Sequence, residues 1–320
     1  CWLPRLRPLV RWYVGASVGL LLFLWLPVLW AYLIAFSFTA HLTSALTLLV
    51  VMLFAYLSRD QRPRVRMTEE DRRILRTVLW VAVPLTVLGA WLSYTHNIRP
   101  AADGTYHVGQ STYGDLSLHL AVTTSIVNAK FPLQNSLMVG ATMAYPYLAD
   151  SFASSLYMLG LSLSNAMAFT STVFLAWVFY GYALLCAQLV RRRGAAVLAA
   201  LLLFLNGGLG FFFTLSGRVD GNTVTTVWDN LKTVMTGYYQ TPTNQPNPNN
   251  LRWVNVICDM LVPQRGILGG WAMLMPVLNL LLPPLATRRR PDTRALLLAG
   301  GMAGALPLLH THTFLALGLA

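Results

Sequence analysis

Seven stretches of this chain are apolar for long enough to cross a bilayer as helices, at about 12–35, 36–57, 74–95, 165–190, 195–215, 266–286 and 295–320. A helix needs about 20 such residues to cover a hydrocarbon core about 30 Å thick, and inside that core its backbone must satisfy its own hydrogen bonds. The pattern predicts an all-α, polytopic transmembrane helix bundle in one domain. Charged residues are 11% of the chain, against about 25% in water-soluble domains, and the run lengths argue against a soluble fold with a large core.

Charge sets the expected orientation. Arg5, Arg7 and Arg11 precede the first run, which favours a cytoplasmic start. Alternation then places 58–76, 191–193 and 287–294 on the same side, giving it 17 of the 23 basic residues and a net charge of +12. The opposite side holds six basic residues (Arg99, Lys130, Arg218, Lys232, Arg252, Arg265) and six aspartates (Asp103, Asp115, Asp150, Asp220, Asp229, Asp259). The basic excess thus follows the positive-inside rule and calls for anionic headgroups rather than nucleic acid as its partner.

The chain opens on Cys1 and stops at Ala320 inside an apolar run, so it is expected to be a fragment cut at both ends. Cys1, Cys186 and Cys258 have no metal-ligand spacing and fall on different sides, which argues against a disulfide framework. Two long outer loops, about 96–164 and 216–265, separate the spans. Amphipathic stretches at 115–129 and 147–160 predict short interfacial helices in the first. The Pro/Asn-rich 241–250 predicts an irregular stretch in the second. Thr68, before Glu69-Glu70-Asp71, is placed to cap the helix entering the third span.

The first outer loop carries the main candidate site. Asp115 and His119 are four residues apart and share a face of a helix, where carboxylate and imidazole can bind a divalent cation or move a proton. Asp115 follows Gly114 and is also placed to be an N-cap. Asp103, His107 and Asp150 add to an acidic, cation-binding pocket in the same loop. Arg265, beside Gln264 at the mouth of the sixth span, suits bidentate contact with a phosphate, or snorkels to headgroups. His310 and His312 lie in the outward half of the last span, where ionisable residues face a wet cavity or make interhelical hydrogen bonds; two apart on a helix, their rings are expected to diverge. Asn206-Gly-Gly-Leu-Gly210 follows no strand, so helix packing or a kink is favoured over a phosphate loop. No His-Glu-x-x-His or P-loop pattern is present, which argues against zinc-protease and P-loop nucleotidase readings.

Gly114-Asp115, His119, Lys130-Phe131-Pro132, Tyr145-Pro146-Tyr147 and Asp150 together resemble the first outer loop of the type-C multispanning glycosyltransferases (GT-C). That superfamily includes the protein O-mannosyltransferases and the aminoarabinose transferases, and the resemblance runs over about 74–320. It implies sugar transfer from a polyprenyl-phosphate donor, on the outer face of the plasma membrane, to a glycan, lipid or protein acceptor. By position, Asp115 would be the general base or the ligand of a divalent cation (Mg or Mn) with His119, and Asp103 the second choice of catalytic carboxylate. Arg265, Gln264, Tyr145, Tyr147, His310 and His312 would bind substrate. The chain departs from the mannosyltransferases in lacking their Asp-Glu pair, because Leu116 follows Asp115. A transporter or flippase using Asp115 and the histidines as a relay, and a scaffold subunit without an active site, are the alternatives.

Overall fold

In the computed structural model, Pro8 begins the first helix, where its missing N–H costs nothing and its fixed φ suits the turn. The structure describes residues 3, 6–58, 66–108, 113–190, 192–208, 218–219, 222–223, 226–236, 244–245, 251–252 and 255–319. Arg5, Arg59, Asp60, Arg62, Arg64, Arg191, Asp220, Gly210 and most of 241–250 lie outside them.

Helix α1 (Pro8–Ile34) turns at Ala35 into α2 (Phe38–Leu57), whose Ser37 cap accepts from the Ala40 N–H. Helix α3 (Glu69–Leu92) opens on the capping box expected of Thr68, with Asp71 answering from the third position. A π-helical turn, Ser93–Asn97, then leads into the antiparallel hairpin β1 (Ile98–Pro100) and β2 (Tyr106–Val108). The first outer loop supplies α4 (Tyr113–Ile126) and α5 (Leu148–Met158), close to the two stretches that the sequence marks as helical. After them come α6 (Leu163–Leu189), α7 (Arg193–Leu205), α8 (Val227–Thr236), a π-helical turn Val256–Leu261, α9 (Arg265–Ala286), α10 (Thr293–Gly304) and α11 (Pro307–Leu319). The fold is mostly helical; the short strand pairs are a departure from an all-α chain.

Helix α6 is the hub, with α3 along one side of it and α9 along another, while α10 and α11 pack on α9. Asn279 of α9 gives its Nδ2 to the Gly181 carbonyl and takes the Gln188 Nε2 on its Oδ1, so the two central helices are stitched by satisfied polar groups. His41 ties α2 to α5 through Ser155 Oγ at 2.8 Å, the structural role its place in a span suggests.

Among the described residues, five helices are long and apolar enough to cross a membrane: Pro8–Ile34, Phe38–Leu57, Glu69–Asn97, Leu163–Leu189 and Arg265–Ala286. Among the described residues, the seven continuous spans expected from the sequence are not all seen. Helix α7 has 13 residues, about 20 Å, short of a hydrocarbon core of about 30 Å. The last expected span is two helices, because Pro307 starts α11 afresh after the turn at Ala305.

Candidate functional site

A buried chain of three ionisable side chains organises one end of the bundle. Arg265, the first residue of α9, is fully buried, and every N–H of its guanidinium is used. Its Nε donates to Asp150 Oδ1 at 2.8 Å. Nη1 donates to the Met167 carbonyl (3.2 Å) and Ser171 Oγ (3.0 Å), and Nη2 to the Ala149 carbonyl (2.9 Å) and Thr170 Oγ1 (3.0 Å). Five donors meet five acceptors, the condition for a buried charge to be tolerated. Asp150, also fully buried, accepts from His119 Nδ1 on its other oxygen at 2.8 Å. The cluster pins α4, α5, α6 and α9 to one another. Arg265 therefore cannot serve as the exposed phosphate ligand expected of it: its fork is saturated by protein.

Above this chain lies an accessible layer. Asp115 is exposed at the third position of α4, inside the first turn rather than capping it, and its Oδ2 accepts from Gln264 Nε2 at 3.0 Å. The Tyr145 ring meets the edge of His119 with centroids 5.8 Å apart. Burial first, then the Asp150 and Asp115 carboxylates, raise the Tyr145 phenol above its ordinary range, so it remains an O–H donor. Gly266 sits between Tyr145 and α11: a Cβ there would lie 4.0 Å from the Tyr145 hydroxyl and 3.5 Å from His310 Cδ2.

His310 departs from helical geometry (φ −163°, ψ 103°), and this brings its ring to 5.2 Å from that of His312. The divergence expected of a regular helix does not occur. The Thr313 N–H donates to His310 Nδ1, and Thr313 Oγ1 lies 2.7 Å from the same nitrogen. Nδ1 is thus an acceptor, and in the neutral ring Nε2 carries the proton and can donate. Gly270 makes room for this: a Cβ there would meet His310 Cβ at 2.6 Å. Gly270→Ala is expected to cost about 1–3 kcal/mol through overpacking, read as a lower thermal midpoint in micelles.

Two expectations fail on geometry, and a third finds no support among the described residues. Tyr147 is buried against Phe131 (5.5 Å between centroids) and belongs to the core, not to a substrate surface. Asp103 is exposed in the turn between β1 and β2, where its carboxylate takes the Thr105 hydroxyl (2.7 Å) and N–H (3.0 Å); these bonds hold its pKa below the usual carboxylate value. His107 is on the same hairpin, opposite Arg99. Asp103→Ala is accordingly expected to leave activity within about twofold, since exposed substitutions away from a site are close to neutral; turnover beside wild type checks it. The third concerns the metal. Among the described residues no three His, Cys, Asp or Glu side chains gather as ligands. The Nδ1 of His119 is bonded to Asp150, which leaves Nε2 as its only possible ligand atom; with Asp115 that is one nitrogen and one carboxylate, fewer oxygens than Mg or Mn usually takes.

Asp150 as the anchor of Arg265, and Thr313 as the partner of His310, were not legible in the sequence. The run Gly266, Gly269, Gly270 at the head of an apolar span was a visible sign of close approach by a neighbouring helix. Scans of protein-family models, of curated proteins and of solved structures return no match to this chain, so its chemistry is read from the site itself.

Proposed function

We propose that the chain transfers a glycosyl group from a polyprenyl-phosphate sugar to an acceptor hydroxyl, with Asp115 as general base. The observation that carries this reading is the separation of roles around Gly266. On one side stands an exposed carboxylate, Asp115, held by Gln264. On the other stand O–H and N–H donors: Tyr145, His310 and the first turn of α9, which has no side-chain cap. A helix N-terminus without a cap favours an anion.

In this mechanism Asp115 takes the acceptor proton as the acceptor oxygen attacks the anomeric carbon. The bond from that carbon to the phosphate oxygen breaks, and the polyprenyl phosphate leaves with the electron pair. Tyr145, His310 and the α9 amides offset the growing charge. His119, buried below and fixed by Asp150, positions Tyr145. No step uses a cation. Alternation of sides by the positive-inside rule favours seven crossings, with α10–α11 as one broken span. The N-terminus is then cytoplasmic and the site lies on the outer face of the plasma membrane.

One feature favours a second reading. The break before Pro307 and the non-helical His310 resemble the discontinuous helices of transporters. Reconstituted protein supplied with labelled polyprenyl-phosphate sugars separates the two, because a transferase releases label from the lipid and a transporter moves the intact donor.

A further inference from the structure

The Arg265–Asp150–His119 chain fixes the sense in which His119 can bond as well as its place. Asp150 has one oxygen on Arg265 Nε and the other on His119 Nδ1, both at 2.8 Å. Paired with the guanidinium, this carboxylate can only accept, so His119 Nδ1 carries a proton. A second proton on the ring would leave the buried cluster with a net charge, which is costly. His119 Nε2 is therefore an acceptor.

That acceptor lacks a donor. Among the described residues Nε2 has no hydrogen-bond partner, yet it is not one of the fully buried polar atoms left unpaired; the 1% of His119 that stays exposed therefore includes this nitrogen. The rest of the ring is enclosed, with Tyr145 edge-on at 5.8 Å between centroids. An enclosed acceptor without a donor costs free energy, and an exception of this kind calls for a partner from outside the chain.

The groups around it divide by sense. Asp115 lies one turn earlier on the same face of α4, about 6 Å along the axis, and it too accepts. Across Gly266 stand donors: the Tyr145 hydroxyl, His310 Nε2 and the first amides of α9. An anion belongs against those donors and finds no partner on the α4 face. What that face can hold is O–H. In transfer the acceptor hydroxyl engages Asp115, which leaves His119 for a different hydroxyl.

We infer that His119 Nε2 accepts a hydrogen bond from a ring hydroxyl of the transferred sugar and so selects donors that carry it. The inference rests on the transferase reading and assigns His119 a part in specificity: it holds the sugar while Asp115 takes the proton of the acceptor. A sugar lacking that hydroxyl leaves Nε2 unpaired.

The test is transfer by reconstituted wild type from polyprenyl-phosphate glucose, mannose, galactose and arabinose, each beside analogues deoxygenated at one hydroxyl in turn. For a sugar that is transferred, one analogue should lose about 10–100-fold in kcat/KM, the size expected when an enclosed polar group goes unpaired. His119→Asn keeps an N–H for Asp150 and deletes the Nε2 acceptor, so it should bring that penalty below about threefold. Asp150→Asn should do the same, because the ring loses the partner that fixes its tautomer; either variant that folds decides. A variant that slows parent and analogue equally makes the histidine merely structural and overturns the inference. Wild type that transfers every analogue within about threefold of its parent also overturns it, water then serving Nε2. Both of those results leave the transferase reading standing. Release of label from none of the four donors removes that reading, and this inference with it.

Discussion

Asp150→Asn is expected to lower the thermal midpoint of the protein in micelles by about 10 °C. The change keeps the volume of the side chain and removes only its charge. Arg265 would keep its four Nη bonds but would be left as a fully buried cation without a counter-ion. Breaking such a pair costs about 3–5 kcal/mol, against a total stability of about 5–15 kcal/mol, and each kcal/mol shifts the midpoint of a large domain by about 2–4 °C. The asparagine also cannot serve both neighbours as the carboxylate does. If its oxygen takes the Arg265 Nε–H, its NH₂ faces His119 Nδ1, so the imidazole must change tautomer or lose the bond. Asp150→Leu combined with Arg265→Met removes both charges and should recover most of the loss. A midpoint for Asp150→Asn within about 2 °C of wild type would show that the ion pair is not what holds this end of the bundle together.

What the sequence revealed and what it hid divide along one physical line. Features set by near neighbours were legible. The Thr68 cap answers a partner three residues away, and an apolar period over 147–160 marks α5, whereas α4 has next to none. The long spans follow from run length alone. The burial of Arg265 was hidden, because its acceptors lie 94 to 116 residues away along the chain. An arginine at the head of an apolar run looks the same in sequence whether it reaches for a headgroup or turns inward. Asp150 and Asp115 were likewise both carboxylates of one loop, and only the packing of α5 against α6 and α9 makes one a buried counter-ion and leaves the other exposed. The break in the last span had a visible sign in Pro307, but the run of apolar residues around it hid the interruption. Asp103 and Asp115 could not be ranked until the hairpin showed that the Asp103 carboxylate is used to close its own turn.

Asp115→Asn is expected to slow transfer by about 10²–10⁴-fold while leaving the fold intact, and this contrast with Asp150 is the sharpest test of the proposed function. Asp115 is exposed, and its recorded partner is the amide of Gln264. An asparagine oxygen can accept that same bond, so the midpoint should stay within about 2 °C of wild type. What the amide cannot do is take a proton from an acceptor hydroxyl. General-base catalysis by a positioned side chain contributes about 10²–10⁴-fold, so turnover should fall by that factor while binding of the donor lipid is unchanged. Gln264→Ala should have a smaller effect, since it frees the carboxylate to move but leaves it able to accept the proton. The measurement is loss of label from a panel of radiolabelled polyprenyl-phosphate sugars by the reconstituted protein. Release by wild type together with its loss in Asp115→Asn would identify both reaction and base. Full release by Asp115→Asn would remove Asp115 from the chemistry. If wild type instead carries intact donor across the bilayer without cleaving it, Asp115 and the paired rings of His310 and His312 are a transport relay, and the exposed carboxylate serves to load a substrate rather than to activate one.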